Sequence, residues 1–301
     1  MKNETIFDVI IIGGSYSGLA SAMALGRALR DVLIIDSEKP CNEQTPHSHN
    51  FLTQDGNTPK QIAATAKQQV LKYDTIKFQK GIAVSATKED FGFAVKTNSK
   101  EIFKAKKLIF ATGLKDIFPK IEGFSECWGI SILHCPYCHG YEVRNEETGI
   151  FANGEMGFEY ARLISNWTSK LTIFTNGKST FTKEQAEKLS SKDIQIIEKE
   201  ILKVNHSNGK VESIEFSDNS KAKVKAIYAR PEFEQHCKIP IDLGCEINEQ
   251  GLLKVDTFQK TTVKNIYACG DNSAMRSLAV AASTGTMTGV VANKDLIEEE
   301  F

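Results

Sequence analysis

Apolar, β-branched runs recur along the chain, and the clearest are followed by a small-residue turn and then a stretch with helical spacing. Ile6–Ile12 is apolar apart from Asp8, the pattern of a strand buried on both faces. Gly13-Gly14-Ser15-Tyr16-Ser17-Gly18 follows, and Leu19, Ala22, Met23 and Leu29 then recur at helical spacing. Val32–Ile35 predicts a second strand that ends at Asp36. A second unit of this kind starts at Gly149-Ile150-Phe151-Ala152. It passes through Asn153-Gly154-Glu155-Met156-Gly157 into a helix predicted over Phe158–Trp167 and a strand at Leu171–Phe174.

The stretches between and after these units are also patterned. Thr58 as N-cap and Pro59 at the first position predict a helix reaching Tyr73. Ile76–Gln79, Ile82–Ala86 and Phe91–Thr97 predict a small antiparallel insertion. Lys107–Phe110 reads as a buried strand before the tight turn Ala111-Thr112-Gly113. Lys183–Ser190 predicts an exposed helix, and Val211–Phe216 and Val224–Tyr228 predict strands. Asn265–Cys269 is a strand that delivers Gly270-Asp271 to a turn. Ser277–Val291 is a helix of small residues, suited to tight packing on a sheet.

Composition narrows the class. A chain of 301 residues predicts two domains, each large enough for a full core. A formal net charge of −1 offers no electrostatic footprint for nucleic acid or an anionic membrane. Val9–Gly26 is apolar, but its glycines and serines sit at nucleotide-loop spacing and make it too polar for a membrane span. The seven cysteines are odd in number and scattered, which points to a reducing, cytoplasmic setting with one special pair.

The candidate chemistry lies in the turns. A glycine turn between strand and helix aims backbone N–H groups and a helix dipole at a pyrophosphate. Asp36 lies 18 positions after Gly18, close to where an acid binds a ribose hydroxyl. Ser15 stands where the fingerprint has its middle glycine, and Ala152 where the second turn would have its first.

Cys135-Pro136-Tyr137-Cys138-His139-Gly140 spaces two thiols for a small disulfide or for a metal. The other cysteines (Cys41, Cys127, Cys237, Cys245 and Cys269) form no second such pair. His134 and His139 are the available partners for zinc, but one short turn seldom closes a tetrahedron, so the redox reading is preferred and no metal site is expected. His139 suits proton movement, and its bland alternative is a helix-start histidine with a structural hydrogen bond. His47, His49 and Asn50 fall in a polar loop, read as packing against a ligand in preference to a metal site.

Taken in order, these motifs resemble the low-molecular-weight thioredoxin reductase family of FAD-dependent disulfide oxidoreductases, over nearly the whole chain. The resemblance implies an α/β fold of two Rossmann-like, three-layer nucleotide-binding domains, the second inserted in the first. The FAD-binding domain would comprise residues 1–115 and 245–301, and an NAD(P)-binding-like domain carrying the cysteines residues 116–244. Gly13, Ser15 and Gly18 would face the FAD pyrophosphate and Asp36 its adenosine ribose. Asn50 matches a Glu-Asn-aromatic stretch beside the flavin, and Thr112 and Gly113 match the Ala-Thr-Gly turn. Gly270 and Asp271 would meet the ribityl chain, with the helix starting near Arg276 and Ser277 aimed at the flavin pyrimidine ring. Cys138 would face the flavin and Cys135 would exchange with substrate. The family also implies a homodimer.

The departures carry information. An acidic residue normally follows the second cysteine, and His139 stands there instead. The core followed by Tyr141-Glu142 is more similar to the subgroup of gliotoxin and holomycin dithiol oxidases, which pass electrons to oxygen. Thr175-Asn176-Gly177 replaces a His-Arg-Arg run that grips the NADPH 2′-phosphate, and Lys178 is only a flexible substitute. With Ala152, this puts NAD(P)H use in doubt. The substrate expected is a disulfide or dithiol, on a thioredoxin-like protein or a small molecule. A flavin-binding module without turnover is the alternative from another class, and the complete cysteine pair argues against it.

Overall fold

The structure, a computed structural model, describes residues 5–301; residues 1–4, at the head of the expected first domain, lie outside the described residues. Two compact units divide the chain. The first holds residues up to Glu43, Lys60–Lys115 and Phe233–Phe301; the second holds Gln44–Pro59 and Asp116–Glu232.

In the first unit, β1 (Ile6–Ile12), β2 (Val32–Asp36), β3 (Ile76–Lys80), β4 (Ala83–Glu89), β5 (Gly92–Thr97) and β6 (Ile102–Phe110) form one sheet in the order β3-β2-β1-β6-β5-β4. β3, β2, β1 and β6 run parallel, and β17 (Ile266–Ala268) lies parallel to the last part of β6. β5 pairs antiparallel with β6 and with β4. This corrects the expected three-strand insertion: its first strand is instead the edge of the parallel layer, with Ile76 beside Val32 and Phe78 beside Ile34.

One face of that sheet packs Val9, Ile11 and Ile34 against Leu19, Ala22 and Leu25 of α1 (Tyr16–Arg27) and Val291 and Leu296 of α8 (Leu278–Glu300). The other packs Ile10, Leu33 and Phe110 against Phe93, Val95 and Leu253. α8 runs nine residues beyond its expected end, because its charged last turn finds partners. Glu299 pairs with the fully buried Lys107 at 2.8 Å, and Glu300 with Arg30 and Lys106. Its small residues meet a helix as well as a sheet. A Cβ on Gly285 would stand 2.2 Å from the Ser17 carbonyl oxygen, and one on Gly289 2.5 Å from that of Ser21. The Ser21 hydroxyl donates to the Gly285 carbonyl across this contact at 2.8 Å.

The passages between the units carry β7 (Leu114–Ile117) and β16 (Glu232–Gln235). In the second unit, β8 (Ile132–Leu133), β9 (Thr148–Phe151), β10 (Leu171–Phe174), β11 (Gln195–Ile197) and β15 (Ala226–Ala229) form an all-parallel sheet in the order β11-β10-β9-β15-β8. β12 (Ile201–Ser207), β13 (Lys210–Phe216) and β14 (Lys221–Lys223) form an antiparallel sheet. α5 (Gly154–Ile164) starts four residues earlier than expected and stops sooner, because Asn153 caps it. α6 (Lys183–Ser190) matches its expected span, with Thr182 and Gln185 closing a capping box. Both units are thus built on parallel, Rossmann-like sheets. No helix among the described residues is long and apolar enough to cross a membrane.

Candidate active site

The first turn is shaped by close backbone approach. Gly13 has φ +106°, and a Cβ there would stand 2.2 Å from the Ala111 carbonyl oxygen. Gly14 donates its N–H to Asp36 Oδ2 at 2.6 Å, and Glu38 donates to Oδ1 at 2.7 Å, so Asp36 fixes the turn from the end of β2. Ser15 is the N-cap of α1 without a side-chain hydrogen bond to it, and no acid lies in the first turn. The same holds for Ser277 at the start of α8. Both helix starts are thus left for an anion by their own side chains.

Around this turn the ends of β1, β6 and β17 converge, the usual place for a ligand in such a sheet. Gly113 has φ +65° and open space where a Cβ would be. Gly270 has φ +80° and donates to Thr284 Oγ1 at 3.1 Å. Asn272, fully buried, donates to the Phe110 carbonyl at 2.9 Å and to Thr112 Oγ1 at 3.3 Å, and its own Oδ1 has no partner. Asp271 and Arg276 face each other at 3.8 Å. Gly13, Ser15, Gly18, Asp36, Thr112, Gly113, Gly270, Asp271, Arg276 and Ser277 all belong to this unit, and their uncapped helix starts and open glycine fit a dinucleotide. Asn50 belongs to the other unit; it has φ +57° and donates its N–H to Asp55 Oδ1 at 2.8 Å.

The cysteines sit at one short turn, α4 (Pro136–His139), for which Cys135 is the N-cap. Cys138 Sγ donates to Cys135 Sγ at 2.6 Å, within easy reach of the roughly 2.05 Å of a disulfide bond. The donated thiol hydrogen bond is the chief reason that Cys135 titrates low, at about 7, helped by the backbone N–H groups of Cys138 and Tyr137 and opposed by burial. Holding that proton, and buried beside a thiolate, Cys138 is pushed up. The pair therefore divides into a more acidic sulfur, Cys135, and a thiol that keeps its proton, Cys138.

His139 is partly buried, and burial draws its pKa down, with His49 adding to the fall and Glu142 opposing it. The His49 ring lies edge-on to it, 6.4 Å between centroids. His49 itself is held between Asp55 Oδ2 and Glu142 Oε1, at 3.6 Å from each. The loop with His47 and His49 thus packs against the cysteine turn, 93 positions from Glu142 in sequence. Tyr228, on β15, is another residue that sequence reasoning misses: its buried hydroxyl has no partner, and its pKa is raised by burial and then by Cys135. Tyr137 packs edge-on against Trp167 at 5.4 Å, and both line an open cavity of about 630 Å³ with Tyr160 and Arg162. Among the described residues no group of three or more His, Cys, Asp or Glu side chains is arranged to hold a metal.

The second turn is filled by its own residues. Asn153 Oδ1 accepts from the N–H of Gly154 at 2.8 Å, the N–H of Thr180 at 2.9 Å and the Thr180 hydroxyl at 3.2 Å. Glu155 places a carboxylate in the first turn of α5 and accepts from Gln185 at 2.7 Å. Beyond β10, the Thr175 hydroxyl donates to the Gly177 carbonyl at 2.6 Å, and Asn176 Oδ1 accepts from the Ile201 N–H at 2.7 Å.

Comparison with known proteins agrees with this architecture. Thioredoxin reductase tcpT of Claviceps purpurea (strain 20.1) is 29% identical over 311 residues, covering 99% of this chain and 97% of tcpT. The crystal structure of the oxidoreductase from Agrobacterium tumefaciens superposes with a TM-score of 0.91 at 33% identity, covering 97% of this chain and 99% of that one. The crystal structure of HlmI gives a TM-score of 0.93 at 27% identity, covering 100% and 95%. The model of the pyridine nucleotide-disulphide oxidoreductase family matches residues 7–285. The chain belongs to that family, as a thioredoxin reductase-like, flavin-dependent disulfide oxidoreductase.

Proposed function

We propose that this enzyme exchanges two electrons between FAD and the Cys135/Cys138 pair, and between that pair and a disulfide or dithiol substrate. The observation that carries the reading is the thiol pair itself, 2.6 Å apart with the more acidic sulfur on Cys135. The Cys135 thiolate attacks one sulfur of a substrate disulfide and expels the other as a thiolate. Cys138 then gives its proton to His139 and attacks the Cys135 sulfur, closing the protein disulfide and releasing the second substrate sulfur. Two electrons pass from the pair to the substrate; the Cys138 proton reaches one substrate sulfur through His139, and solvent supplies the proton for the other. Run backwards, the same steps oxidise a dithiol.

FAD, when bound, would supply a two-electron store for the pair. Gly13, Ser15 and Gly18 would hold its pyrophosphate and Asp36 its adenosine ribose. Thr112, Gly113, Gly270, Asp271, Asn50 and the start of α8 at Arg276 and Ser277 would serve the rest. In this reading residues 1–115 and 245–301 bind FAD and residues 116–244 form the nicotinamide-like domain. Cys138 would exchange electrons with the flavin and Cys135 with the substrate. The family resemblance adds a homodimer, and the scattered cysteines a cytoplasmic setting.

A second reading, a dithiol oxidase with oxygen as acceptor, is favoured by the filled second turn. Asn153 takes up backbone donors and Glu155 adds a negative charge at the turn where a nicotinamide pyrophosphate would bind, so NADPH and NADH would be poor donors. The test is anaerobic mixing of the yellow holoprotein with NADPH, NADH or a small dithiol, each alone, while following the flavin absorbance. A dithiol should bleach it, and Cys138→Ser should abolish that bleaching. Rapid bleaching by micromolar NADPH would restore the reductase direction. Bleaching unaffected by Cys138→Ser would overturn the role of the pair.

A further inference from the structure

His49 precedes Asn50, in the place of the glutamate of the Glu-Asn-aromatic stretch, and carboxylates flank its ring beside the cysteine turn. Its Nδ1 faces Asp55 and its Nε2 faces Glu142, so a proton on either nitrogen meets a carboxylate. Its ring is only 20% exposed at the side chain and stands edge-on to His139. Glu142 belongs to the segment just after α4, three positions beyond His139, so it is shared between the two histidines. The remaining groups around them are few. His47 lies 6.4 Å from the His49 ring, its Nδ1 engaged with the Gly56 carbonyl at 2.9 Å, and Cys135 and Cys138 lie on the turn of His139 itself.

We propose that His49, clamped between Asp55 and Glu142, is a positioning residue that governs proton transfer between Cys138 and His139. It acts through its electrostatic effect on His139, whose ring it meets edge-on at 6.4 Å between centroids. The two neighbours of His139 pull in opposite directions: His49 favours the neutral imidazole, which can accept a proton, and Glu142 favours the charged form, which can return one. A neutral His139 takes the Cys138 proton as the protein disulfide closes. Glu142 then stabilises the imidazolium until the proton leaves, and Asp55 keeps His49 from turning away. This inference rests on the proton-carrying role of His139 proposed above.

The sign of the test follows from those two charges. Removing His49 should raise the pKa of His139, and removing the Glu142 charge should lower it. The holoprotein should be compared with His49→Gln, Glu142→Gln and Asp55→Asn, with His139→Ala as reference. Two readouts are needed: the NMR titration of His139 with labelled imidazole carbons, and the pH profile of dithiol-driven flavin bleaching. Unchanged flavin content certifies folding, and Asp55→Asn serves if His49→Gln fails to fold.

His49→Gln should move both the titration and the acid limb of the rate to higher pH, and Glu142→Gln should move both to lower pH. A merely structural His49 would change the height of the profile and leave the His139 titration in place; that outcome, or shifts of the same sign, overturns the proposal. A His139→Ala profile identical to the parent would instead remove His139 from the reaction, and the NMR shifts would still decide whether the two histidines are coupled.

Discussion

The two glycine turns occupy equivalent places in two equivalent units and have opposite characters. At Gly13–Gly18 the side chains withdraw: Ser15 does not cap its helix, no acid sits in the first turn, and Asp36 holds the turn from the neighbouring strand. At Ala152–Gly157 the side chains close in: Asn153 takes the Gly154 and Thr180 N–H groups, and Glu155 supplies a negative charge at the positive end of the helix dipole. The two arrangements treat the orphan donors of a helix start differently. One leaves them for a ligand and the other spends a side chain on them. The glycine count of a fingerprint is therefore less informative than what the non-glycine positions do with their side chains.

The largest effect should come from adding one methyl group to each turn. Gly13→Ala introduces roughly 1–3 kcal/mol of backbone strain and a clash of roughly 1–3 kcal/mol with the Ala111 carbonyl, which cannot move without β6. Flavin absorbance per chain should fall to a small fraction and the melting temperature with it. Gly154→Ala meets the Thr180 hydroxyl at 2.7 Å, a movable side chain, and its φ of +54° is the milder strain. It should keep its flavin. Equal flavin loss in the two variants would break the comparison.

A smaller effect should follow from Glu155→Gln. Taking a negative charge from the first turn of α5 relieves about 0.3–1 kcal/mol of repulsion toward a phosphate, a gain of about two- to fivefold in NADPH affinity. Adding Asn153→Gly, which frees the Gly154 and Thr180 donors, should increase it further. Isothermal titration with NADPH would measure both, and no gain in either would show that something other than these side chains closes the site.

The smallest effect concerns stability alone. Asn153→Ala should cost about 1 kcal/mol, because four hydrogen bonds involve that side chain. Ser15→Ala should cost almost nothing in the protein freed of flavin, since Ser15 makes no cap bond. Denaturant unfolding of the two flavin-free variants gives the ratio.

Much of this was legible in the chain. β1, β2, β9 and β10 follow mostly apolar runs without alternation, because a strand covered on both faces has no polar face. β3 departs from its expected place for the same reason inverted: Ile76-Lys77-Phe78-Gln79-Lys80 alternates because it is a sheet edge, and alternation reads as antiparallel. The start of α5 was hidden by its glycines, although Asn153 is among the best N-cap residues. The cysteine pair and His139 are contiguous and stand out from spacing alone. His49 and Glu142 do not, since only the folded loop brings them to opposite sides of one imidazole, and Tyr228 looks like any other apolar strand residue until its hydroxyl is found without a partner.

The seam between α1 and α8 has a consequence in time. Ser21 and Gly285 are 264 positions apart, and β17, which completes the parallel layer beside β6, also comes from the last stretch of the chain. A contact spanning so many residues forms late, because closing the intervening loop must be compensated before the contact stabilises anything. Residues 116–232 of the second unit are contiguous and complete while α8 is still unmade. During synthesis the second unit therefore closes first, and the narrow face of α1 waits, exposed, for the helix whose glycines fit it.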